Sequence, residues 1–453
     1  MSKIIKLRKG LDIHLEGEPA PKLIEACGSD TYAVSPPDFD GVMPKLLVRE
    51  GDKVKAGSPL FFDKAHEEIL FTSPVSGVVA EIRRGEKRKL LSVVVATDGK
   101  NESVEFKLPA AAKASKEDVA AVLLSAGLWP MLIQRPYGRI ATPGEWPRAI
   151  FVSGFDSAPC APDMNFVLAG ELENLKTGVE VLKHLTDGKV HLGLKAGTDG
   201  VLNKVDNAEQ HFFAGPHPAG NVGVQIHHID PIRKGDVVWT VDVQNLAIIG
   251  RLFKTGRLDM TKTVCMSGPQ VVNPYYLRII GGAEIKSFVM NSNIKTPRKG
   301  GGVRIVSGNA LTGRTVTRDE FMTFYSNQIT VLEEGDYYEL LGWIAPRFGK
   351  FSTSHSYFSW LCPRRKYRLD TNLNGGERAI VMTGIWERYL PMDIHPMYLV
   401  KACIAGNIDK MEALGIYEVL PEDLALCEFV DPSKTEIQEA VAQGINLMIK
   451  ELS

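Results

Sequence analysis

Paired cysteines are the first feature that this sequence lacks. Its six cysteines are scattered, and no two of them are separated by the two residues typical of a metal-ligand pair. Because zinc and iron–sulfur sites are usually built from such pairs, the sequence argues against a cysteine-held metal centre. A disulfide framework is equally unsupported in a chain of 453 residues, so we expect reduced thiols.

A charge excess and a long hydrophobic run are also missing. Lysine and arginine number 53 against 54 acidic residues, a balance that offers no electrostatic attraction to nucleic acid. The longest nearly apolar run, residues 119–133, is broken by Gly127 and Pro130 and is shorter than the roughly 20 residues of a membrane span. Lys3 and Lys6 interrupt the apolar start, which argues against a secretory signal. We therefore expect no nucleic-acid partner and no transmembrane segment.

Histidines at metal-ligand spacing are absent too. None of the ten histidines forms an HExxH motif, and His227 and His228 are the only adjacent pair. If that pair lies in an extended strand, the two side chains point to opposite faces and cannot share an ion. The sequence therefore predicts no metal site.

A glycine-rich phosphate loop is missing where one would be expected. Between residues 148 and 253, strand and helix patterns alternate, which predicts a mainly parallel, Rossmann-like α/β sheet with one long helix over residues 165–185. The candidate loops, residues 134–139 and 154–160, contain no GxGxxG, and Pro159 cannot donate a backbone hydrogen bond to a phosphate. We therefore expect a degenerate nucleotide-binding sheet with no cofactor bound by this chain.

Residues 308–315 (GNALTGRT) come close to a phosphate-binding P-loop. Arg314 stands where the motif has lysine, and no core-facing helix pattern follows. A tight turn between two strands is the better interpretation.

The stretch GDKVKAGSPLFFDKAHEEILFTSPVSGVV, residues 51–79, shows what is present. Short apolar strands separated by turn residues predict a small all-β flattened barrel similar to the barrel-sandwich fold of lipoyl and biotinyl domains. Counted back from Ser73 and Pro74, the position of the modified lysine falls on His66, and Lys64 is two residues out of register. We therefore expect a packing and docking module that carries no attached group.

The remaining sequence completes a multidomain chain of α/β and α+β type. Residues 262–308 predict a β-grasp unit with a helix from about Ala283, and residues 336–350 predict a β-rich connector before a helical end in which Ser433 caps the last helix. The aromatic and basic stretch 357–368 is a candidate docking surface. The predicted domains are a barrel-sandwich domain at 1–108, a Rossmann-like domain at 115–255, a β-grasp domain at 256–330, and a connector with a helical C-terminal domain at 331–453.

The order of these domains resembles that of the flavoprotein subunit of respiratory complex I, without its catalytic equipment. Particular motifs are similar to those of the A-subunit family of bacterial sodium-translocating NADH:quinone oxidoreductases. They are KGLDI at 9–13, GEP at 17–19, VREGD at 48–52, RGEKR at 84–88, GPHPAG at 215–220, PMDI at 391–394, EDLALC at 422–427 and FVDP at 429–432. They run from end to end of the chain, so the resemblance covers nearly all of it.

The resemblance implies a peripheral subunit on the cytoplasmic face of the bacterial inner membrane. Its complex would have six subunits, some of them integral to the membrane, and would couple NADH oxidation and ubiquinone reduction to sodium export. In this family the flavins and iron centres belong to partner subunits. A non-catalytic scaffold or docking subunit of a membrane electron-transport complex is the alternative.

The same resemblance directs attention to quinone, which requires an aromatic, mostly apolar pocket with one or two hydrogen-bond donors. One segment has that composition and also contains His211. Our candidate quinone-binding residues within it are Phe212, Phe213, His217, His227 and His228. Histidine can both donate to a quinone oxygen and pass a proton near neutral pH. The sequence assigns no catalytic residue.

Overall fold

The computed structural model describes residues 4–25, 28–109, 114–298, 301–339, 342 and 348–452. The strands of this part are β1 Ile4–Lys6, β2 Leu23–Glu25, β3 Thr31–Val34, β4 Pro44–Leu46, β5 Lys53–Val54, β6 Pro59–Asp63, β7 Leu70–Thr72, β8 Gly77–Arg84, β9 Leu90–Thr97, β10 Ile133–Arg135, β11 Arg139–Ile140, β12 Ile150–Ser153, β13 Val190–Lys195, β14 Glu209–Ala214, β15 Val238–Asp242, β16 Thr261–Ser267, β17 Tyr275–Ile280, β18 Val303–Ser307, β19 Arg314–Val316 and β20 Gln328–Glu333. The α-helices are α1 Lys116–Ser125, α2 Met164–Val167, α3 Leu172–His184, α4 Val222–Ile229, α5 Val243–Thr255, α6 Pro396–Ile404, α7 Ile408–Ala413, α8 Ala425–Val430 and α9 Ile437–Leu452.

The N-terminal region contains two small antiparallel sheets, ordered β3-β9-β8-β5 and β4-β6-β7. Phe61 and Phe71 stack in the core at a centroid distance of 4.6 Å. The turn between β6 and β7 carries Lys64 and His66, where a carrier domain would present its lysine. The predicted all-β barrel is confirmed.

A seven-stranded sheet, ordered β1-β14-β13-β12-β15-β10-β11, forms the second unit. Its first five strands are parallel, and β10 and β11 add an antiparallel hairpin beside β15. The predicted parallel sheet is confirmed, and β1 joins it from the N-terminus of the chain. Residues 134–139, considered above as a phosphate loop, form the β10–β11 hairpin instead.

The long helix predicted over residues 165–185 is two helices, α2 and α3. Gly170 breaks it with a φ of +89°, a left-handed conformation that glycine adopts without strain. The second helix, α3, packs closely on α5. A Cβ at Gly250 would lie 1.8 Å from the Asn174 carbonyl oxygen, so glycine is required at this crossing.

The third unit is a six-stranded sheet ordered β19-β18-β20-β16-β17-β2. The helix predicted from about Ala283 is wrong, because the structure has two separate 3₁₀ turns there, at Ile285–Ser287 and Asn291–Asn293. The Ile285 and Lys286 amides donate to the carbonyls of Glu320 and Arg318, so this segment pairs with the loop before Phe321. The loop 308–313 joins the antiparallel strands β18 and β19, so the predicted tight turn is confirmed.

The C-terminal region is helical from α6 onward, as predicted. Residues 340–341 and 343–347 of the predicted β-rich connector lie outside the described residues, and its described remainder contains no strand. Ser433 is not the cap of the last helix: α9 begins at Ile437, and the Ser433 hydroxyl donates to the Ala379 carbonyl at 3.1 Å. In the described part of the chain, we find no helix with both the length and the apolar character that crossing a bilayer requires.

Candidate functional site

The two candidate phenylalanines lie on opposite faces of the seven-stranded sheet, because they are neighbours on β14. Phe213 is buried in the core that the sheet shares with the C-terminal helices. Phe212 packs against the larger core on the other face. The structure therefore does not bring their rings together into one pocket.

His217 lies at the carboxyl end of the sheet, in the loop between β14 and α4. Its Nδ1 is 3.0 Å from the Ser157 hydroxyl, and its backbone amide donates to Asp12. Burial lowers the pKa of His217 to about 4, although the nearby Asp12 and Asp423 carboxylates oppose that shift. His217 is therefore a neutral, internally bonded histidine at neutral pH.

His211 lies near the opposite end of the sheet, beside His191. The Nε2 atom of His211 is 3.0 Å from the Nδ1 atom of His191, so one ring donates and the other accepts. Burial lowers the pKa of both imidazoles, that of His191 to about 4. Sequence reasoning did not single out His191.

His227 and His228 lie on helix α4 and not on a strand, which corrects the extended conformation expected above. His228 donates from Nε2 to the Pro391 carbonyl at 2.8 Å. The His227 ring accepts at Nε2 from the Asp393 amide at 3.0 Å, so in the neutral ring the proton sits on Nδ1. That Nδ1 faces the Glu418 carboxylate at 2.7 Å.

Glu418 connects His227 to a cavity of about 610 Å³ between the segment after α4 and the C-terminal helices. Ligand pockets commonly have this size. The cavity is lined by Ile232, Arg233, Lys234, Asp393, Ile394, His395, Asp409, Glu412, Ala413, Leu414, Gly415, Tyr417 and Glu418. Of the candidate quinone residues, only His227 contacts a residue of this lining through its ring.

The cavity wall contains a hydrogen-bonded set of charged and phenolic groups. The Tyr417 hydroxyl donates to Glu412, whose carboxylate also lies 2.7 Å from Lys234 Nζ. The bonds from Lys234 and Tyr417 lower the pKa of Glu412. Burial, followed by the bond to Glu412, raises the pKa of Tyr417. The wall thus offers a carboxylate, an ammonium group and a phenol, and its residue Glu418 bonds to the His227 imidazole.

The third unit contacts the crevice where a Rossmann-like sheet would bind a nucleotide. Ligands of such sheets bind beyond the carboxyl ends of the strands, where the strand order reverses, which is here between β12 and β15. At that point Gln328 donates to the Pro159 carbonyl at 3.1 Å, and Asn327 donates to Asp242 at 2.8 Å. Where a nucleotide-binding sheet would have its phosphate loop, this sheet therefore makes hydrogen bonds to the neighbouring six-stranded sheet.

The amino-acid sequence of the whole chain is similar to that of proteins of known name. The chain is 38% identical to the A subunit of the Na(+)-translocating NADH-quinone reductase of Neisseria meningitidis serogroup B, over 99% of this chain and 100% of that protein. It is 40% identical to the protein of the same name from Serratia proteamaculans, over 96% of each chain. The chain belongs to this family.

Three family models divide the chain much as the structure does. Residues 5–98 match the NqrA N-terminal barrel-sandwich hybrid domain, 114–258 the NqrA second alpha/beta domain, and 263–318 the NQRA C-terminal domain. The resemblance inferred from the sequence motifs is thereby confirmed. A solved structure of an NAD+-reducing [NiFe]-hydrogenase in the air-oxidized state gives a TM-score of 0.37 at 14% identity, over 76% of this chain and 63% of that chain. This similarity is too weak to indicate a shared overall fold.

Proposed function

We propose that this chain is the peripheral A subunit of a sodium-translocating NADH:quinone reductase. The observation that carries the proposal is the similarity to proteins of that name along nearly the whole chain. Three successive family domains occur in the same order as the structural units. The chain would act as part of an enzyme without catalysing the reaction alone.

Within the complex, the chain contributes to quinone reduction beside the cavity at Glu418. Reduction of a quinone to a quinol consumes two protons, so a site needs a group that exchanges protons near neutral pH. Histidine is the side chain most often used in that role, and His227 bonds to Glu418, which lines a cavity large enough for a ring of that kind. Of the five quinone-binding residues predicted from the sequence, we therefore retain His227, and we add Glu418 and Tyr417 from the cavity wall.

In this proposal, the redox cofactors and the membrane anchorage come from partner subunits. We propose that NADH oxidation, the flavins and the iron centres belong to other subunits of a six-subunit complex. Integral membrane subunits would hold this chain at the cytoplasmic face of the inner membrane. The contact between the third unit and the crevice at β12 and β15 supports this division of labour, because it occupies the place of a nucleotide.

A non-catalytic scaffold is the second candidate. The scattering of Phe212, Phe213, His217 and His228 over separate parts of the fold favours it, because no aromatic pocket unites them. The two roles predict different behaviour toward quinone. A quinone-binding subunit gives a saturable titration with a short-chain quinone, whereas a scaffold gives none.

Affinity purification from membranes tests the proposed function. An affinity tag placed on this chain in its own bacterium should recover, in mild detergent, integral membrane subunits together with NADH:quinone reductase activity. Recovery of the chain alone from a strain with an active complex would contradict the proposal. The quinone titration of the isolated chain then separates the catalytic role from the scaffold.

A further inference from the structure

We propose that His191, Glu209 and His211 form a binding site for a divalent transition-metal cation of the zinc type. The ligand atoms of the three side chains all lie within 4.8 Å of one another. Two imidazole nitrogens and one carboxylate oxygen are a ligand set that zinc adopts, leaving a fourth position for water. The site lies where strands β13 and β14 begin, at the opposite end of the sheet from the nucleotide crevice.

Strand register brings the three residues together. His191 is the direct partner of Glu209 in the parallel pairing of β13 with β14. Glu209 and His211 are two residues apart on one strand, so their side chains share a face. The Phe151 ring stacks on His191 at a centroid distance of 4.6 Å and holds it in place. The ligands therefore project from rigid elements, as a preformed metal site requires.

The separation of the two rings suits an ion between them. Zinc–nitrogen bonds of about 2.0–2.1 Å in a tetrahedral site place two ligand atoms about 3.3–3.4 Å apart. The His191 and His211 nitrogens are 3.0 Å apart, so the rings need to open only slightly. In the absence of an ion, the hydrogen bond between the two rings keeps both of them in position.

The carboxylate is the ligand that must move. Glu209 lies 2.7 Å from Lys189 Nζ, and its side chain is 40% exposed. A half-exposed ion pair of this kind stabilises a protein little, so Glu209 can exchange its lysine for an ion at small cost. Imidazole ligands favour zinc and its neighbours over magnesium, which prefers oxygen.

Calorimetric titration of the chelator-treated full chain with zinc chloride tests the proposal. We expect one ion per chain in the wild type and an affinity at least about tenfold lower in His211→Ala, because even neighbours of metal ligands contribute that much. His66→Ala is the matched control, since His66 lies on the hairpin between β6 and β7 and should leave the titration unchanged. Magnesium chloride should give no binding.

The melting temperature provides a second, independent measure of zinc binding. At one fixed zinc concentration, the melting temperature of the wild type and of His66→Ala should rise by the same amount, and that of His211→Ala should rise by less, because an ion that binds only the folded state stabilises it in proportion to its binding free energy. If His211→Ala fails to fold, Glu209→Gln is the variant compared, and it should bind zinc more weakly than the wild type. The proposal is overturned if the wild type does not bind one zinc ion, or if the folded variants bind zinc as tightly as the wild type.

Discussion

His227 Nδ1 lies 2.7 Å from Glu418 Oε2, across 191 positions of sequence. The bond joins helix α4 of the parallel sheet to the C-terminal helical region. Glu418 also lines the cavity of about 610 Å³. The proposed contribution to quinone reduction depends on this pair.

Replacement of His227 tests the pair directly. In the assembled complex, His227→Gln should lower quinone reduction by about a hundredfold if the imidazole supplies a proton, which is the usual scale for general acid–base catalysis. The adjacent His228 bonds to the Pro391 carbonyl, outside the cavity lining, whereas His227 bonds to the lining residues Glu418 and Asp393, so His228→Gln should retain most of the activity. Steady-state rates of the two purified complexes make the comparison; equal rates would favour the scaffold role.

The buried Arg135–Asp423 pair should stabilise the junction between the parallel sheet and the C-terminal region. Their side chains are at most 1% exposed, and the Nη1 and Oδ2 atoms lie 3.1 Å apart. Asp423→Asn should lower the free energy of unfolding by about 3–5 kcal/mol, because the buried arginine loses its buried partner and keeps only the half-exposed Glu422. Glu422 bonds to the same guanidinium but is 46% exposed, so Glu422→Gln should cost below about 1 kcal/mol. Urea unfolding measures both, and equal losses would contradict the assignment.

Acid should destabilise the chain partly through His217. Its pKa is 6.5 when the imidazole is fully hydrated and about 4 in the folded protein because of burial. The unfolded state therefore binds more protons between pH 6.5 and pH 4, and stability falls as the pH drops through that interval. In His217→Gln, the difference in melting temperature between pH 7.5 and pH 5 should be smaller than in the wild type. An unchanged difference would show that His217 is not protonated on unfolding.

The isolated chain should bind neither NADH nor flavin. At the crevice between β12 and β15, the Gln328 and Asn327 side chains bond to residues at the strand ends, and no GxGxxG loop borders the crevice. We expect an absorption spectrum without a flavin band and a calorimetric titration with NADH that shows no saturable heat. A flavin band after mild purification, or a micromolar NADH affinity, would refute this.

Local signals explain the parts of the fold that the sequence predicts. At the start of α1, for example, Ser115 and Asp118 form a capping box, a motif that depends only on residues three positions apart. The alternating strand and helix patterns likewise predict the parallel sheet. Strands β1 and β2, however, pair with β14 and β17, more than 200 positions away, and no short-range pattern predicts such a pairing. Ser433 does not cap α9 because its hydroxyl donates to the Ala379 carbonyl, a distant partner that no local pattern predicts, and the helix begins only at Ile437.

The proposed quinone and metal sites were predictable only in part, because their residues are brought together by pairings that are distant in the sequence. The sequence singled out His227 by its residue type, but nothing near it points to Glu418 or Tyr417. His191 and Glu209 were missed because metal ligands on neighbouring strands share no fixed spacing. Their proximity follows from the β13–β14 register, which the fold determines.

Deletion and restoration of the gene test the central claim most directly. Membranes from a strain that lacks this chain should lose sodium-stimulated NADH:quinone reductase activity, and expression of the wild-type chain should restore it. The expected result is that activity returns together with membrane attachment of the chain. Sodium-stimulated activity that persists in the deletion strain at the wild-type level would contradict the proposed role within the reductase.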